Sequence, residues 1–338
     1  MFNLELVIDI GGGNTTIYQN KKGIVLCEPS VVAVKKQRNK LKLIAKGKEA
    51  KRLSRNRSEL APGVNIITPF SEGTVTNSEA ARIMLKGFLE TVTAGRFFRP
   101  NIDALVLISC GTSVVERKNI ESIFTSLGIK NVTLVESPIA VAALLENPYN
   151  FIVISGATIT EVAIVAPTGI ITACSVNICG NSMDEAIKKY LSDQYRLVIS
   201  KTRAEDLRIK LATLSDKQNI AVEVQGRDLI DSATRKIEIT AEDLRKAIIG
   251  VVNNLADVIE SVSMLCPDNL IEDIYHTGIT FCGGLANIHG LAQHLTERLK
   301  IKVNSISDPA APVTGGAAYF ADRDRLYAMI GMNLEEKK

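Results

Sequence analysis

Residues 7 to 16 of the chain read Val7-Ile8-Asp9-Ile10-Gly11-Gly12-Gly13-Asn14-Thr15-Thr16. Two runs of β-forming residues flank three consecutive glycines, so this stretch predicts a β-hairpin with a glycine turn. The pattern returns at residues 153 to 160, which read Val153-Ile154-Ser155-Gly156-Ala157-Thr158-Ile159-Thr160. Aligning the two copies places Ile154 opposite Asp9. The chain therefore carries one hairpin twice, and the second copy lacks the acid.

Each hairpin begins a series of alternating strand and helix patterns. Apolar spacing predicts helices over 78–89, 115–127, 181–195, 202–213 and 240–265. Ser78 is predicted to cap the first of these helices, and Thr240 with Asp243 forms a capping-box pattern at the last. Short strands are predicted over 31–34 and 41–45. Strands that alternate with helices indicate an α/β fold, here in two related halves.

The composition fits a globular protein with two full cores. The chain has 338 residues, of which 46% are hydrophobic and 23% charged. None of the six cysteines forms a Cys-x-x-Cys pair, so we expect reduced core cysteines of a cytosolic protein. No uncharged apolar run approaches the ~20 residues that span a bilayer. No signal-peptide pattern opens the sequence, and we expect a cytoplasmic protein.

A basic cluster lies in the first quarter of the chain. Between Lys35 and Arg57 there are eleven Lys or Arg residues and one acid, Glu49, although the net charge of the chain is only +3. One interpretation is the solvated surface of a small subdomain. The other is attraction to an anionic surface, either lipid or an acidic neighbour.

The first glycine turn has the chemistry of a phosphate-binding loop. Its glycines can take positive φ and let backbone N–H groups approach phosphate oxygens, and Asn14 and Thr15 can add donors. Asp9 can hold the water shell of Mg²⁺. The alternative is a plain tight hairpin with an incidental acid. In the second copy Gly156 still permits close approach, but for this copy a core strand and turn is nearly as good an interpretation.

Several short motifs occur in a fixed order along nearly the whole chain. The first is Ile8-Asp9-Ile10-Gly11 with Asn14-Thr15. The others are Glu28-Pro29-Ser30-Val31-Val32-Ala33, Gly47-Lys48-Glu49-Ala50-Lys51-Arg52, Met183-Asp184-Glu185-Ala186-Ile187, Gly226-Arg227-Asp228-Leu229, Gly283-Gly284 and Asp308-Pro309. Their order and spacing are more specific than any single glycine loop, and they resemble those of the MreB family of bacterial actins.

The resemblance implies a fold and its division. The expected fold is α/β, an actin-like ATPase fold of duplicated ribonuclease-H-like domains with small inserted subdomains. Domain I would comprise residues 1–145 and 309–338, with an insertion at about 29–77. Domain II would comprise residues 146–308, with an insertion at about 181–240.

The resemblance also implies ATP or ADP with Mg²⁺ bound between the domains. Asp9 would hold Mg²⁺ through water. The expected nucleotide contacts are Asp9, Gly11, Gly12, Gly13, Asn14, Thr15, Gly156, Ala157, Thr158, Gly180, Asn181, Gly283 and Gly284.

Departures from the family pattern suggest weak hydrolysis. The family places a glutamate directly before Pro138, where this chain has Ser137, and Glu136 stands one residue early. Serine is a poor base near neutral pH, and Glu136 points to the opposite side of an extended segment. The second loop has lost its acid, and Arg208-Ile209-Lys210 replaces a Lys-x-Glu pattern near the ribose. We therefore predict no catalytic residue and weak or absent ATP hydrolysis.

Two adjacent phenylalanines suggest a membrane contact. Phe97 and Phe98 lie in the basic segment Arg96-Phe97-Phe98-Arg99-Pro100, where relatives carry an apolar membrane loop. Their rings would enter lipid while the arginines meet headgroups. The alternative is that one ring covers the core beneath.

The resemblance as a whole implies a cytoskeletal protein that governs cell shape or motility. Subunits would stack head to tail into filaments, with paralogous actin-like subunits and the inner face of the cell membrane as partners, and without nucleic acid. A sugar- or acetate-kinase-like phosphotransferase on the same fold is the alternative, but it needs a substrate-activating carboxylate. A chaperone-type ATPase is a third possibility. It would need a substrate-binding domain, which we do not expect to follow residue 338.

Overall fold

A computed structural model describes residues 3–38, 40–95, 100–215 and 220–331. The strands are, in chain order, β1 (Asn3–Ile10), β2 (Asn14–Gln19), β3 (Gly23–Pro29), β4 (Val32–Gln37), β5 (Lys40–Lys46), β6 (Val64–Ile67), β7 (Phe70–Ser71), β8 (Thr74–Val75), β9 (Asn101–Ile108), β10 (Asn131–Glu136), β11 (Asn150–Ser155), β12 (Thr160–Ala166), β13 (Gly169–Val176), β14 (Leu197–Val198), β15 (Ala221–Asp228), β16 (Thr234–Thr240), β17 (Ile279–Cys282) and β18 (Val303–Ser305).

The helices are α1 (Gly47–Arg55), α2 (Ser78–Val92), α3 (Val114–Ser126), α4 (Ser137–Ala142), α5 (Gly180–Tyr195), α6 (Lys201–Leu211), α7 (Ala241–Ser263), α8 (Ile271–Thr277), α9 (Leu291–Leu299), α10 (Ala311–Ala318) and α11 (Arg323–Met329). Two compact units divide the chain. The first contains Met1–Tyr149, Ala163–Ser175 and Ala310–Lys338, and the second contains Asn150–Val162 and Val176–Pro309. The domain boundaries predicted from the sequence, with domain I at 1–145 and 309–338 and domain II at 146–308, stay a prediction.

The first unit is built on a five-stranded sheet with the order β10-β9-β1-β2-β3. β1 and β2 are antiparallel, with Ile10 opposite Thr15, so the glycine turn closes the predicted hairpin. β9 and β10 join in parallel. Apolar residues of β1 alternate onto a core that includes Phe88 of α2 and Phe124 of α3, and these are fully buried. The hairpin is therefore held by the packing of the whole sheet.

The second five-stranded sheet repeats this topology. Its order is β13-β12-β11-β17-β18, in which β11, β17 and β18 are parallel neighbours. Numbered along the chain, both sheets have the order 3-2-1-4-5. Helix α5 packs against α6 and α7. Ile187 and Leu191 of α5 and Ile248 of α7 are fully buried. The internal duplication inferred from the two glycine turns therefore extends to the complete sheets.

Two three-stranded sheets accompany the large ones. In the first unit the order is β5-β4-β6, with α1 packed on this sheet. Helix α1 was not predicted from the sequence, because only Ala50 and Gly47 of its nine residues are buried and its composition is largely charged. In the second unit the order is β14-β15-β16.

The predicted helix starts had different outcomes. Thr240 and Asp243 form the predicted capping box at the start of α7. The cap predicted for α2 is wrong, since the side chain of Asn77, rather than that of Ser78, accepts the N–H of Ala80 at 2.9 Å. Pro138 lies in the first turn of α4, where its missing N–H leaves no bond unmade.

The six cysteines are free, and most are buried as predicted. Cys110, Cys179, Cys266 and Cys282 are buried, and Cys174 is half-buried. The prediction is wrong for Cys27, which is exposed. Within the described ranges, no helix taken singly has the length and apolar character needed to cross a membrane. The bent pair Ala241–Ser263 and Asp268–Thr277, at 110°, meets those criteria only by length and composition.

Candidate functional site

The first glycine turn contains the backbone N–H groups that are expected to bind phosphate. The N–H groups of Gly12 and Gly13 have no hydrogen-bond partner among the residues that the structure describes. Gly11 does not adopt positive φ, contrary to the reason given above for a glycine there. Glycine is needed at position 11 because a Cβ there would stand 2.9 Å from the carbonyl oxygen of Asn14. The close approach of two backbones therefore fixes the turn and leaves donors of the kind that bind phosphate.

Two buried hydroxyl groups support this turn from below. Ser30 Oγ donates to the carbonyl oxygen of Gly11 at 2.5 Å, and the N–H of Ser30 donates to Gly13. Thr15 Oγ1 lies 2.9 Å from Ser30 Oγ and is fully buried. Because Ser30 uses its hydrogen on Gly11, Thr15 must be the donor to Ser30. Thr15 thus stabilises the turn through Ser30, and its direct contact with phosphate stays a prediction.

Asp9 lies at the end of β1 beneath the turn. Its carboxylate is half-buried and accepts a hydrogen bond from the N–H of Gly11. Loss of hydration raises the pKa of Asp9 to about 6, and the hydrogen bond from Gly11 opposes that rise only in part. A carboxylate in this state favours a cation nearby, as expected of a group that holds the water shell of Mg²⁺. The described residues include no cluster of three or more His, Cys, Asp or Glu that could hold a metal.

Glu136 and Ser137 are both engaged in structural contacts. Glu136 Oε1 forms an ion pair with the guanidinium of Arg117, whose Nε also donates to the carbonyl oxygen of Thr112 at 3.1 Å. Ser137 is buried, and its hydroxyl donates to the carbonyl oxygen of Ile108 at 3.2 Å. Neither group has the properties of a base that would activate water.

The second turn uses the same device with different residues. The N–H of Gly156 donates to Ile159 across the turn at 2.9 Å. Thr160 Oγ1 lies 2.6 Å from Ser155 Oγ and donates to the carbonyl oxygen of Ile178 at 2.5 Å. A buried threonine–serine pair therefore supports each copy of the hairpin. Ile154, which replaces the acid, is buried and pairs in register with Cys282 of β17.

Helix α5 begins directly against the second turn. The N–H of Gly180 donates to the carbonyl oxygen of Gly156 at 3.0 Å, and that of Asn181 donates to Ala157 at 2.8 Å. Both helix-terminal donors are thus used by the turn itself. Thr158 lies half-buried at the tip of the same turn.

A buried ion pair lies behind this helix start. Arg208 Nε is 2.7 Å from Asp184 Oδ1, and their side chains are 11% and 2% exposed. Burial raises the pKa of Asp184, and the hydrogen bond from Arg208 opposes this. A Cβ on Gly180 would stand 3.1 Å from Nη2 of Arg208 and 3.3 Å from Cα of Ala157. The guanidinium group therefore lies beside Gly180 and Ala157, two of the predicted contacts.

Gly283 brings a third segment to the second turn. It adopts φ of 93°, and a Cβ would stand 2.5 Å from the carbonyl oxygen of Ser155. Only glycine fits this position, on both grounds. Gly284 follows and is exposed. Within the second unit, the structure thus brings together five predicted residues, which are Gly156, Ala157, Gly180, Asn181 and Gly283.

The predicted membrane residues Phe97 and Phe98 lie outside the described residues. Their contact with lipid stays a prediction.

Comparison with known proteins identifies the family. A sequence model described as MreB/Mbl protein matches residues 3–328. The chain belongs to the MreB/Mbl family. Cell shape-determining protein Mbl of Bacillus subtilis (strain 168) is 32% identical over 332 residues, which are 95% of this chain and 97% of that protein. Cell shape-determining protein MreB of Escherichia coli (strain K12) is 30% identical over 325 residues, covering 94% and 92%.

Solved structures confirm the actin-like fold expected of a member of the MreB/Mbl family. MreB 5 of Spiroplasma citri bound to AMPPNP superimposes with a TM-score of 0.87 at 23% identity, over 96% of this chain and 98% of that one. A MamK double helical filament gives a TM-score of 0.78 at 19% identity, over 95% and 99%. The predicted family and fold class are therefore confirmed.

Three contacts at and near the candidate site were not predicted from the sequence. Ser30 was noted only as part of a motif, Arg117 was not noted, and the partnership of Arg208 with Asp184 was not foreseen. These pairs join residues 15 to 24 positions apart on different elements. No local periodicity signals such contacts, although Thr15, Ser30 and Asp184 belong to the family motifs quoted above.

Proposed function

We propose that this chain is a cytoplasmic, nucleotide-binding actin-like protein that forms filaments at the inner face of the cell membrane. The observation that carries the nucleotide proposal is the pair of N–H groups at Gly12 and Gly13, which have no partner among the described residues, in the same turn whose Gly11 N–H donates to Asp9. Family membership supports a role in cell shape or motility and favours the actin-like function over the phosphotransferase alternative.

The residues of the first unit fit ATP or ADP with Mg²⁺. Gly12 and Gly13 would donate to phosphate oxygens, and Asp9 would hold the hydrated metal, which neutralises phosphate charge when bound. MreB5 of Spiroplasma citri has been solved with ADP as well as with AMPPNP, which supports this assignment by similarity of fold. In the second unit, Gly156, Ala157 and Gly283 would supply close backbone approach.

Hydrolysis is proposed to be weak or absent. Ile154 offers no carboxylate, Glu136 is paired with Arg117, and the Ser137 hydroxyl is used by Ile108. Positioned bases contribute about 10²–10⁴-fold to such reactions, so their absence leaves binding without efficient turnover.

Self-assembly is proposed from the family and from the MamK filament. Head-to-tail stacking uses two different surfaces of each subunit and therefore produces an open polymer. Paralogous actin-like subunits are the proposed additional partners.

Sedimentation with ATP, ADP and no nucleotide, together with phosphate release on the same samples, tests this function. We expect nucleotide-dependent pelleting with little phosphate release. Phosphate release equal to that of a hydrolytic MreB, measured in parallel, would contradict the weak-hydrolysis proposal. Absence of both nucleotide binding and pelleting would contradict the function itself.

A further inference from the structure

A groove of the first unit lies between strand β5 and helix α2. Its volume is about 450 Å³, which is within the size range of small-molecule sites. In the three-stranded sheet β5 pairs with β4 on one side, so its other edge faces the groove. Leu41, Leu43 and Ile83 line the groove and are half-buried. Leu41 and Leu43 also pack against the core of the first unit, so the part of their surface that stays exposed is the apolar part of the groove.

Positive charge surrounds this apolar surface. The charged lining residues are Lys40, Lys42, Arg82 and Lys86, with Glu90 as the acid among them. Arg82 and Lys86 stand one turn apart on α2 and share a face. Lys86 lies 3.9 Å from Glu90. Lys40, Lys42 and Arg82 form no ion pair within the part of the chain that the structure describes.

Two other members of the basic cluster are paired with acids. Arg52 is paired with both Glu49 and Glu59, and Lys48 lies 3.8 Å from Glu28. Lys40 and Lys42 bring positive charge of the Lys35–Arg57 segment to the groove, where Arg82 of a different element joins it. This juxtaposition of β5 with α2 is not visible in the sequence.

The walls of the groove are held at a fixed separation. Lys46 Nζ donates to the carbonyl oxygen of Gly87 and to Thr91 Oγ1, the latter at 2.8 Å, which ties the end of β5 to α2. At the other end, the N–H of Leu41 donates to Glu79 Oε1 at 2.9 Å, so this acid is engaged with the backbone. The groove is thus preformed between two anchored elements.

We propose that this groove binds the headgroup of an anionic phospholipid. The phosphate would lie at Lys40, Lys42 and Arg82, since the guanidinium fork matches phosphate oxygens and the lysines add point charges. The glycerol and first methylenes would cover Leu41 and Leu43, which a free phosphate could not do. Charge and apolar surface together therefore favour a lipid over a simple anion. This proposal rests on the proposed membrane association.

Vesicle flotation of the full chain tests the proposal with a matched pair of variants. Lys42→Gln with Arg82→Gln removes two groove charges, and Lys36→Gln with Arg38→Gln removes two from the same basic region outside the groove lining. The vesicles contain phosphatidylcholine with or without phosphatidylglycerol. At physiological salt, we expect the groove variant to lose about tenfold or more in affinity for the anionic vesicles and the other variant less than about threefold. Equal losses would show general surface attraction and overturn the proposal.

A soluble lipid separates this site from membrane docking as such. Dihexanoyl phosphatidylglycerol below its micelle concentration should bind the parent protein in calorimetry and bind the groove variant about tenfold more weakly. Glycerol phosphate should bind far less tightly than the lipid, because it lacks the acyl methylenes. If the parent does not bind the soluble lipid, the groove proposal fails, even where vesicles float the protein through Phe97 and Phe98. If the soluble lipid binds but vesicles do not, the membrane function fails and the groove remains. Loss of pelleting without loss of lipid binding in the groove variant would make the groove a filament contact instead.

Discussion

Asp9 and Ile154 occupy equivalent positions near the ends of the first strands of two equivalent sheets. Burial is favourable for the side chain of Ile154 and unfavourable for that of Asp9. The apolar side chain of Ile154 gains from burial beside Cys282. The carboxylate of Asp9 loses hydration and forms no ion pair with any residue that the structure describes, and its pKa rises to about 6. Such an acid destabilises the protein without ligand, which is understandable where a cation is to be held.

Replacing Asp9 with Asn should therefore stabilise the ligand-free protein. The folded-state pKa lies above the unfolded value of 3.8, so burial of this carboxyl costs no stability below pH 3.8. The cost grows as the pH rises above that value and is complete once the folded protein has also lost the proton, above about pH 6. Near pH 7 we expect Asp9→Asn to raise the free energy of unfolding by about 1–2 kcal/mol, after a discount for partial exposure. Urea unfolding at about pH 4.5 and pH 7 measures this, and the gain should shrink at the lower pH.

Glu136→Gln is the control for Asp9→Asn. It removes the partner of Arg117 and should lower stability near pH 7. Magnesium-dependent nucleotide affinity should fall strongly for Asp9→Asn and little for Glu136→Gln. A loss of stability in Asp9→Asn, or equal effects on nucleotide affinity, would contradict the role assigned to Asp9.

At the scale of elements, the sequence predicted those features that depend on local pattern. The glycine hairpin and the Thr240–Asp243 capping box each follow from neighbouring residues. Helix α1 was not predicted, because it packs on a small sheet whose last strand, Val64–Ile67, comes later in the chain. The hydrogen bonds of Ser30 and Arg208 that stabilise the site were not predicted either, since both side chains bond to residues of other elements.

Gly87 tests how closely α2 must approach β5. A Cβ at this position would stand 2.8 Å from Cδ of Lys46 and 3.5 Å from Cδ2 of Leu43. Alanine favours a helix by about 1 kcal/mol, but overpacking costs about 1–3 kcal/mol, so we expect Gly87→Ala to lower the free energy of unfolding by about 1 kcal/mol. Gly250→Ala in α7 is the matched control, because nothing lies within 4 Å of its Cβ position, and it should stabilise. Stabilisation by both substitutions would show that the two elements can separate freely.

The second loop and the start of α4 can be tested together by restoring carboxylates. Ile154→Asp with Ser137→Glu should raise phosphate release about tenfold or more if the remaining geometry supports hydrolysis. The new acid at 154 would lie in apolar surroundings beside Cys282. Burial, together with the nearby Glu161, raises the pKa of Cys282 to about 12, which shows how strongly this position disfavours a negative charge. A loss of stability should therefore accompany the gain in phosphate release.

The isosteric variant Ile154→Asn with Ser137→Gln is the control for these carboxylates. It should leave phosphate release at the parental value, since it adds polarity without a base. A folded Asp and Glu variant that still binds nucleotide but releases no more phosphate would show that other departures, such as Arg208 and Lys210, limit the reaction.

At the scale of the whole molecule, the duplicated sheets explain why family and fold were predictable. The order 3-2-1-4-5 occurs twice, and each copy begins with a hairpin that glycine and β-forming residues mark in the sequence. The partners of the molecule were less predictable, because surface charge becomes meaningful only when folding decides which charges are paired. The cations that line the β5–α2 groove illustrate this, since Arg82 lies outside the basic cluster that the sequence showed.

Membrane docking of the filament should separate into an apolar and an electrostatic contribution. Each phenylalanine that enters lipid would supply about 1.5–3 kcal/mol, so Phe97→Ser with Phe98→Ser should weaken vesicle binding at all salt concentrations. Neutralised cations should matter mainly at low salt, because surface attraction is screened within about 8 Å at physiological ionic strength. Flotation over a salt series measures both contributions, with pelleting in nucleotide as the control that each variant still folds and assembles. If the double serine variant assembles and floats like the parent at every salt concentration, the two rings cover the core or contact another subunit. Membrane association would then depend on charge alone.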